Sequence, residues 1–581
     1  MSNDPISIRA SLSLALIGSG GAGVMTAGQV ILDTAARCGL YGLMNRSSGP
    51  QIRGGEAAAI VRLDRDPVAC QDDRLDWLVA LDFNQAERFA DELILDQDSL
   101  VFADPDAGEI PAWITESQAR VVSVPFAELV ARQRGVRINA IAIGLVAGLA
   151  GLDGEQARRT LTRLFQKRGS RLVEAAIAGH DLGFQAAGKL PVTGPSLDPR
   201  ADTRMWLMTG NEACALGAIH AGVRFSAAYP ITPSTEIQEW LATNLPAVGG
   251  HLIQAEDELA SINMCIGASL GGVPALTATS GPGFSLMVEA LGLAIAAEVP
   301  LTVVNVMRGG PSTGIPTRPE QADLNIAVYG SHGDAPRLVL APNSIADCIY
   351  TTHKAVCWSE ALQCPAVVLS DQFLGQARAA IEAPRLELEP AKRRLAAAGQ
   401  PDYQRFVLSD DGVSAMGIPG IAGATHTASG LTHQTSGRPS SLAADHHAQL
   451  DKRRRKLETF DFGSAWADIE GDGPLALVTF GSITGACREA IARLQARAPG
   501  IRLISLRLLA PLNRKGFAAA LEGIEQLLVV EQNHGAQLYH YLRSQIDLPS
   551  ATSSFARPGP LSLKPGQIET AIRKLTMEQA A

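Results

Sequence analysis

Aromatic side chains make up only 5% of this 581-residue chain, and no Cys-x-x-Cys pair occurs in it. The first scarcity leaves little material for the stacking platforms that hold single-stranded nucleic acid. The second removes the usual ligand sets of structural zinc and iron–sulfur sites. Eight cysteines are scattered along the chain, and even the nearest three, Cys348, Cys357 and Cys364, are irregularly spaced, so buried thiols are expected. Positive charge is also in short supply. A formal net charge of −9 argues against general affinity for nucleic acid or anionic membrane. No apolar run is long enough to span a bilayer, and Met1-Ser-Asn-Asp-Pro5 carries no basic leader pattern. The expectation is a cytoplasmic protein with neither a nucleic-acid nor a membrane partner.

What remains is ordinary globular material in quantity. The length exceeds what one hydrophobic core serves, and strand-like runs alternate with helical ones, the pattern of a multi-domain α/β protein. Residues 1–190 open with the apolar run Leu12–Gly18 and read as a doubly wound domain. Pro191-Val-Thr-Gly-Pro-Ser-Leu-Asp-Pro199 marks a linker over 191–205. A second α/β unit covers 206–384, with strands predicted at Phe225–Ala228, His251–Ile253, Ala275–Thr279, Leu301–Met307, Arg337–Leu340 and Pro365–Leu369. Residues 385–465 show no sustained periodicity and end near the basic run Lys452-Arg-Arg-Arg-Lys456. A third α/β unit spans 466–560, followed by a tail over 561–581.

Four motifs of the second unit fall where a predicted strand ends: Tyr229-Pro-Ile-Thr-Pro-Ser-Thr235, Gln254-Ala-Glu-Asp-Glu258, Thr279-Ser-Gly-Pro-Gly283 and Met307-Arg-Gly-Gly-Pro-Ser-Thr-Gly-Ile-Pro-Thr317. Ligands of open α/β sheets bind outside the carboxyl ends of the strands, so these motifs would share one active edge. Thr232 either caps a helix whose first residue is Pro233 or offers its hydroxyl to a substrate carboxylate or carbonyl. Glu256 stands nearest its strand end and is the acid best placed to face the crevice, while Asp257 and Glu258 answer a helix dipole. Gly281 and Gly283 allow either close backbone approach to a ligand or a tight turn. Arg308 projects from a buried strand and offers a bidentate fork for a carboxylate, or a structural ion pair.

Two further patterns mislead. Gly18-x-Gly20-x-x-Gly23 fits the dinucleotide fingerprint, yet no acidic residue follows the next strand to meet a ribose. Arg46 and Arg53 there suit a phosphorylated ligand or an interface better. Gly471-Asp-Gly473 precedes its strand, where a metal–diphosphate motif would follow one, and reads as a turn.

Taken together, these motifs resemble the α subunit of the 2-oxoacid:ferredoxin oxidoreductases, with that family's γ domain fused in front. Gly18–Gly23 and Ser48-Gly-Pro-Gln-Ile-Arg-Gly-Gly55 resemble the γ domain (1–190). The four central motifs resemble the pyrimidine-binding domain (206–384), and Leu475–Leu542, with Glu531-Gln-Asn-His-Gly535, resembles the transketolase C-terminal-like domain (466–560). The γ-first order and the Met307–Thr317 pattern are most like the 2-oxoglutarate branch.

The resemblance implies a thiamine diphosphate shared with a separate β subunit, which would supply Mg2+ and a [4Fe–4S] cluster, in an αβ unit paired to α2β2. Pro230, Ile231, Ser280, Gly281 and Gly283 would line the cofactor. Glu256 would hydrogen-bond its pyrimidine ring, and Thr232 and Arg308 would grip the 2-oxoacid. Coenzyme A and ferredoxin would be the remaining reactants, with the reaction running as oxidation or as reductive carboxylation. Gly20, Gly21, Arg46 and Arg53 would be the γ-domain candidates for coenzyme A. Gly430–Gly437 departs from a more acidic run in the family, around His433. Branched-chain, aryl or short 2-oxoacids are alternative substrates, and a non-catalytic structural subunit is the alternative of another class.

Overall fold

The computed structural model describes residues 11–48, 55–106, 108–192, 194–195, 197, 205–494 and 500–577. They divide into two compact units, Met1–Thr209 with Gln376–Pro384, and Gly210–Gly375 with Arg385–Ala581. No helix among the described residues is long and apolar enough to cross a membrane.

In the first unit, alternate residues of the strand Ser11–Ser19 enter opposite cores. Leu12, Leu14 and Leu16 pack with Val30 and Ile31, whereas Ala15 and Ile17 pack with Leu78 and Phe89. Burial on both faces explains why this strand is mostly apolar along its length, with Ser13 the one polar residue inside the buried stretch. The sheet order is Arg120–Ser123, Leu100–Ala103, Trp77–Ala80, Ser11–Ser19, Glu56–Asp64, Tyr41–Ser48, Arg378–Glu382, Met205–Thr209. The first four strands are parallel, and every later pairing is antiparallel. The sheet is therefore mixed, not doubly wound throughout. Tyr41–Ser48 lies antiparallel to Glu56–Asp64, so the βαβ unit of a dinucleotide-binding fold does not form around Gly18–Gly23.

Two outer strands of this sheet come from residues the sequence reading gives to the linker and the second domain, 205–209 and 378–382. The Gly- and Ala-rich helix Ile138–Leu149 packs tightly. A Cβ on Gly144 would strike the His180 carbonyl, and one on Gly183 the Ile141 carbonyl, so the helix Ser170–Ala187 lies backbone to backbone against it.

The second unit is built on a sheet ordered Leu508–Ala510, Leu338–Leu340, Ala366–Asp371, Thr302–Met307, Ala275–Thr279, Phe225–Ala228, His251–Gln254. All neighbours are parallel except the first pair, where a strand from the C-terminal region joins the edge. A further five-stranded sheet follows, with Ala467–Glu470 antiparallel at one edge and the other strands parallel.

Residues 385–459 cover the amino-terminal edge of the seven-stranded sheet. Arg405 donates to the Glu298 carbonyl, and Lys452 and Lys456 pair with the Glu298 carboxylate at 2.6 and 3.1 Å. The basic run thus lies on a helix, Ala443–Thr459, with Lys452, Arg453 and Lys456 buried. The irregular reading of that stretch missed it because its inward face is polar. His433 is buried against the Phe406 ring at 3.9 Å and contacts the Ala296 and Gln434 carbonyls, a packing role on this same edge.

Candidate active site

At the opposite edge, parallel pairing carries the ends of Phe225–Ala228, His251–Gln254, Ala275–Thr279 and Thr302–Met307 side by side. The four motifs that follow them meet there. Arg308 is 7% exposed although it directly follows an all-buried strand end. Its Nη1 donates to the Thr232 carbonyl and its Nη2 to the Thr313 carbonyl at 2.9 Å, while its Nε is buried with no partner among the described residues. Thr232 and Arg308, 76 residues apart, are joined directly. Burial pulls the guanidinium below its ordinary value, and Asp323 opposes that shift.

Thr232 does not cap a helix. The chain turns first, with the Ile231 carbonyl accepting from the Ser234 and Thr235 amides, and the helix begins at Thr235. Pro233 therefore lies outside it, and the Thr232 hydroxyl makes no hydrogen bond among the described residues. Pro230 and Ile231 are half-buried in the same turn.

The acidic motif sorts differently from the sequence expectation. Glu256 is exposed. Asp257 caps the helix Glu258–Leu270, accepting from the Ala260 amide at 2.7 Å. Glu258, read as an answer to the helix dipole, is only 6% exposed, and its side chain lies against the glycine turn that follows Ala275–Thr279, two strands away in the sheet. A Cβ on Gly283 would collide with Glu258 Oε1 and Thr279 Oγ1 and would stand 2.7 Å from Glu258 Cγ. Glycine is required there because a carboxylate occupies the space of a side chain. That carboxylate accepts no hydrogen bond among the described residues. An acceptor left without a protein donor suits an incoming hydrogen-bond donor.

Ser280 and Gly281 complete the turn. Ser280 is fully buried, its Oγ is unpartnered, and it precedes the helix Gly281–Ala296 without capping it through its side chain. A Cβ on Gly281 would lie 2.9 Å from Asp323 Oδ2. Asp323 takes a hydrogen bond from Asn305 Nδ2 at 2.9 Å. Burial pushes the Asp323 carboxyl up, and the Asn305 bond, Glu320 and Arg308 modify that by pulling down, up and down respectively.

The loop bearing Asp323 is fixed from the C-terminal region. Gln321 and Gln532 exchange hydrogen bonds (Gln321 N to the Gln532 carbonyl at 2.7 Å, Gln532 N to Gln321 Oε1 at 2.9 Å), and Gln537 donates to the Ala322 carbonyl at 2.8 Å. The Glu531–Gly535 motif supports this clamp, with Glu531 accepting from the Leu538 and Tyr539 amides. Sequence reasoning passed over Glu258, Asp323 and Gln321. The only sequence signal for the first was its place in an acidic triplet at a strand end.

The first unit holds a cleft of about 370 Å3 beside the helix Val24–Arg37, bordered by Gly21, Gly23, Arg137, Asn139, Phe165 and Arg168. Gly21 adopts φ +99° with no atom within 4 Å of its missing Cβ, leaving backbone open. Gly20 is in the same turn. Arg46 is exposed on the strand Tyr41–Ser48 and does not border the cleft, and Arg53 lies outside the described residues. Among the described residues no group of three His, Cys, Asp or Glu side chains is placed to hold a metal ion.

Two family models match the chain: "Pyruvate ferredoxin/flavodoxin oxidoreductase" over residues 13–186, and "Pyruvate flavodoxin/ferredoxin oxidoreductase, thiamine diP-bdg" over residues 216–452. The 2-oxoglutarate synthase subunit KorA of Methanothermobacter marburgensis is 38% identical over 349 residues, covering 59% of this chain and 91% of that protein. The 2-oxoacid:ferredoxin oxidoreductase subunit alpha of a Sulfolobus species is 29% identical over 585 residues, covering 90% and 91% respectively. Among solved structures, the 2-oxoglutarate:ferredoxin oxidoreductase of Magnetococcus marinus, with 2-oxoglutarate, coenzyme A and succinyl-CoA bound, aligns with a TM-score of 0.90 at 32% identity. That match covers 98% of this chain and 100% of the other.

Proposed function

The chain belongs to the 2-oxoacid:ferredoxin oxidoreductases, as an α subunit with the γ domain fused in front and of the 2-oxoglutarate type, and from this we propose that it converts 2-oxoglutarate, coenzyme A and oxidised ferredoxin to succinyl-CoA, carbon dioxide and reduced ferredoxin. The same site would run in reverse with a sufficiently reducing ferredoxin. The observation that carries the reading is Glu258, a buried residue whose carboxylate has no donor among the described residues, pressed against a turn that only glycine permits.

Thiamine diphosphate, when bound, supplies the nucleophilic carbon and electron sink for cleaving the bond next to a 2-oxoacid's carbonyl. The residues of this edge fit its aminopyrimidine end. Glu258, in the role expected of Glu256, accepts from the pyrimidine ring and holds it in register. Ser280, Gly281 and Gly283 let the ring approach the backbone, and Pro230 and Ile231 supply apolar contact. Arg308, whose Nε has no partner among the described residues, takes the substrate's carboxylate, and the Thr232 hydroxyl donates to its carbonyl oxygen.

A β subunit would complete the site with the diphosphate-binding residues, Mg2+ and a [4Fe–4S] cluster, in an αβ or α2β2 assembly. Its docking face would include the exposed Leu259 and Met264 of one helix and Leu286 of the next, near Gly267 and Gly292, whose missing side chains leave open space. Coenzyme A would enter the cleft of the first unit, its phosphates meeting Arg137, Arg168 and the Gly20–Gly23 turn.

The test is co-expression with the β subunit, then methyl viologen reduction over a panel of 2-oxoglutarate and branched-chain, aryl and short 2-oxoacids with coenzyme A. Preference for 2-oxoglutarate supports the reading. Preference for another acid removes the substrate assignment, and a β subunit equally active without this chain would make it structural.

A further inference from the structure

Arg308 is a buried cation whose donors reach two main-chain carbonyls, and no carboxylate lies within ion-pair distance of it among the described residues. Asp323 is the acid whose charge acts on it. The groups around Asp323 are few. Arg308 faces it from the end of its strand and Glu320 from its own loop. Glu258 stands beyond the Gly281–Gly283 turn. Asn305, fully buried in the central strand, donates Nδ2 to Asp323, yet its Oδ1 has no partner among the described residues. That orphan has a use. An ionised Asp323 needs a donor, which Nδ2 provides. A protonated Asp323 needs an acceptor, and the same amide, turned about its last torsion, presents Oδ1. Asn305 can therefore serve both protonation states of its neighbour.

On the reading that Arg308 takes the substrate's carboxylate, binding brings a second anion to a cation that Asp323 already balances. Two carboxylates near one guanidinium in a partly buried site cannot both stay ionised cheaply. We propose that Asp323 is a charge-balancing positioning residue that takes up one proton when a 2-oxoacid binds Arg308, with Asn305 turning to accept the new O–H. The proton comes from the buffer and forms one O–H bond on the Asp323 carboxyl, so the charge around Arg308 is the same before and after binding. The device also discriminates. A neutral carbonyl compound lacking the 1-carboxylate brings no charge and draws no proton.

The experiment is calorimetric titration of the assembled αβ complex with N-oxalylglycine, an amide isostere of 2-oxoglutarate that is not decarboxylated. Titrations are run in phosphate and in Tris, buffers of very different ionisation enthalpy. In the wild type the observed enthalpy should differ between buffers by an amount that reports net proton uptake, and the apparent affinity should tighten as pH falls. Asp323→Asn, which keeps the shape, should bind with a buffer-independent enthalpy and a flat pH profile. Asn305→Ala, which removes the donor to the ionised form, should show a smaller uptake at the same pH. A wild-type enthalpy that does not depend on the buffer overturns the proposal even if no variant folds, and so does an uptake that survives in Asp323→Asn. If the wild type gives no binding heat and 2-oxoglutarate supports no viologen reduction, the carboxylate role of Arg308 fails with it. Binding without uptake sinks Asp323 alone.

Discussion

Replacing Glu298 by glutamine would strip from two buried ammonium groups the only carboxylate that pairs with them among the described residues. Glu298 and Lys452 are fully buried and Lys456 is 2% exposed, with Nζ–Oε distances of 2.6 and 3.1 Å. Lys452 would keep the Ser414 hydroxyl and Lys456 the Gln363 carbonyl, but neither partner carries charge. Breaking a buried pair by removing one member costs about 3–5 kcal/mol, and the upper end applies because one carboxylate serves two cations. At roughly 2–4 °C per kcal/mol, that lowers the unfolding midpoint by about 10–20 °C.

The pH dependence has a definite sign. Burial alone would raise the Glu298 carboxyl, but Lys456, Lys452 and Arg405 together hold it well below the ordinary carboxylate range. Its contribution is therefore fully present above the unfolded value of 4.5 and is lost as pH falls further below it. Thermal scans from pH 7 down to pH 3 should show wild type and Glu298→Gln converging as acid is added. A glutamine variant shifted no more than a surface substitution, about 0.5 kcal/mol, would refute the reasoning, as would a gap that does not narrow in acid.

Gly283→Ala should fold with a destabilisation of about 1–3 kcal/mol, because the new methyl meets Glu258 and Thr279, and it should weaken thiamine diphosphate binding in a cofactor titration followed by activity. Arg308→Ala should raise the KM for the 2-oxoacid and lower turnover, an effect of about 2–5 kcal/mol for a broken charged hydrogen-bonded contact, while leaving coenzyme A affinity unchanged in steady-state kinetics. Arg137→Ala with Arg168→Ala should raise the KM for coenzyme A at unaltered 2-oxoacid KM; an Arg46→Ala variant should not.

The inner strands of the central sheet were legible because their burial is nearly uniform, whereas the edge strand His251–Gln254 is largely exposed. Thr302–Met307 is buried at every position, and an arginine directly after such a run has little choice but to stand at the sheet's edge. Parallel pairing then brings Thr232, Ser280 and Arg308 together without further information. Glu258 was hidden because nearness to the strand end favours Glu256 along the chain, whereas the extended cap at Asp257 (φ −155°) turns the next side chain inward against a turn some 25 residues away in sequence. The helix Ala443–Thr459 carries its buried face on Gln449, Lys452, Arg453 and Lys456, so the apolar periodicity that reveals helices is missing. The strands Met205–Thr209 and Arg378–Glu382 join a sheet begun far earlier in the chain, and the Gln321–Gln532 clamp spans 211 residues. Local pattern has no means of reporting such distant pairings.

The most direct measurement compares Glu258→Gln with Glu256→Gln in the assembled complex, following 2-oxoglutarate- and coenzyme A-dependent viologen reduction as thiamine diphosphate is added back. Glu258→Gln should lose at least the contribution of a charged hydrogen bond, about 1.5–3 kcal/mol or roughly ten- to 150-fold in rate, and should need more cofactor for half-activation. Glu256→Gln should behave as wild type. Full activity in Glu258→Gln with loss in Glu256→Gln would contradict the account.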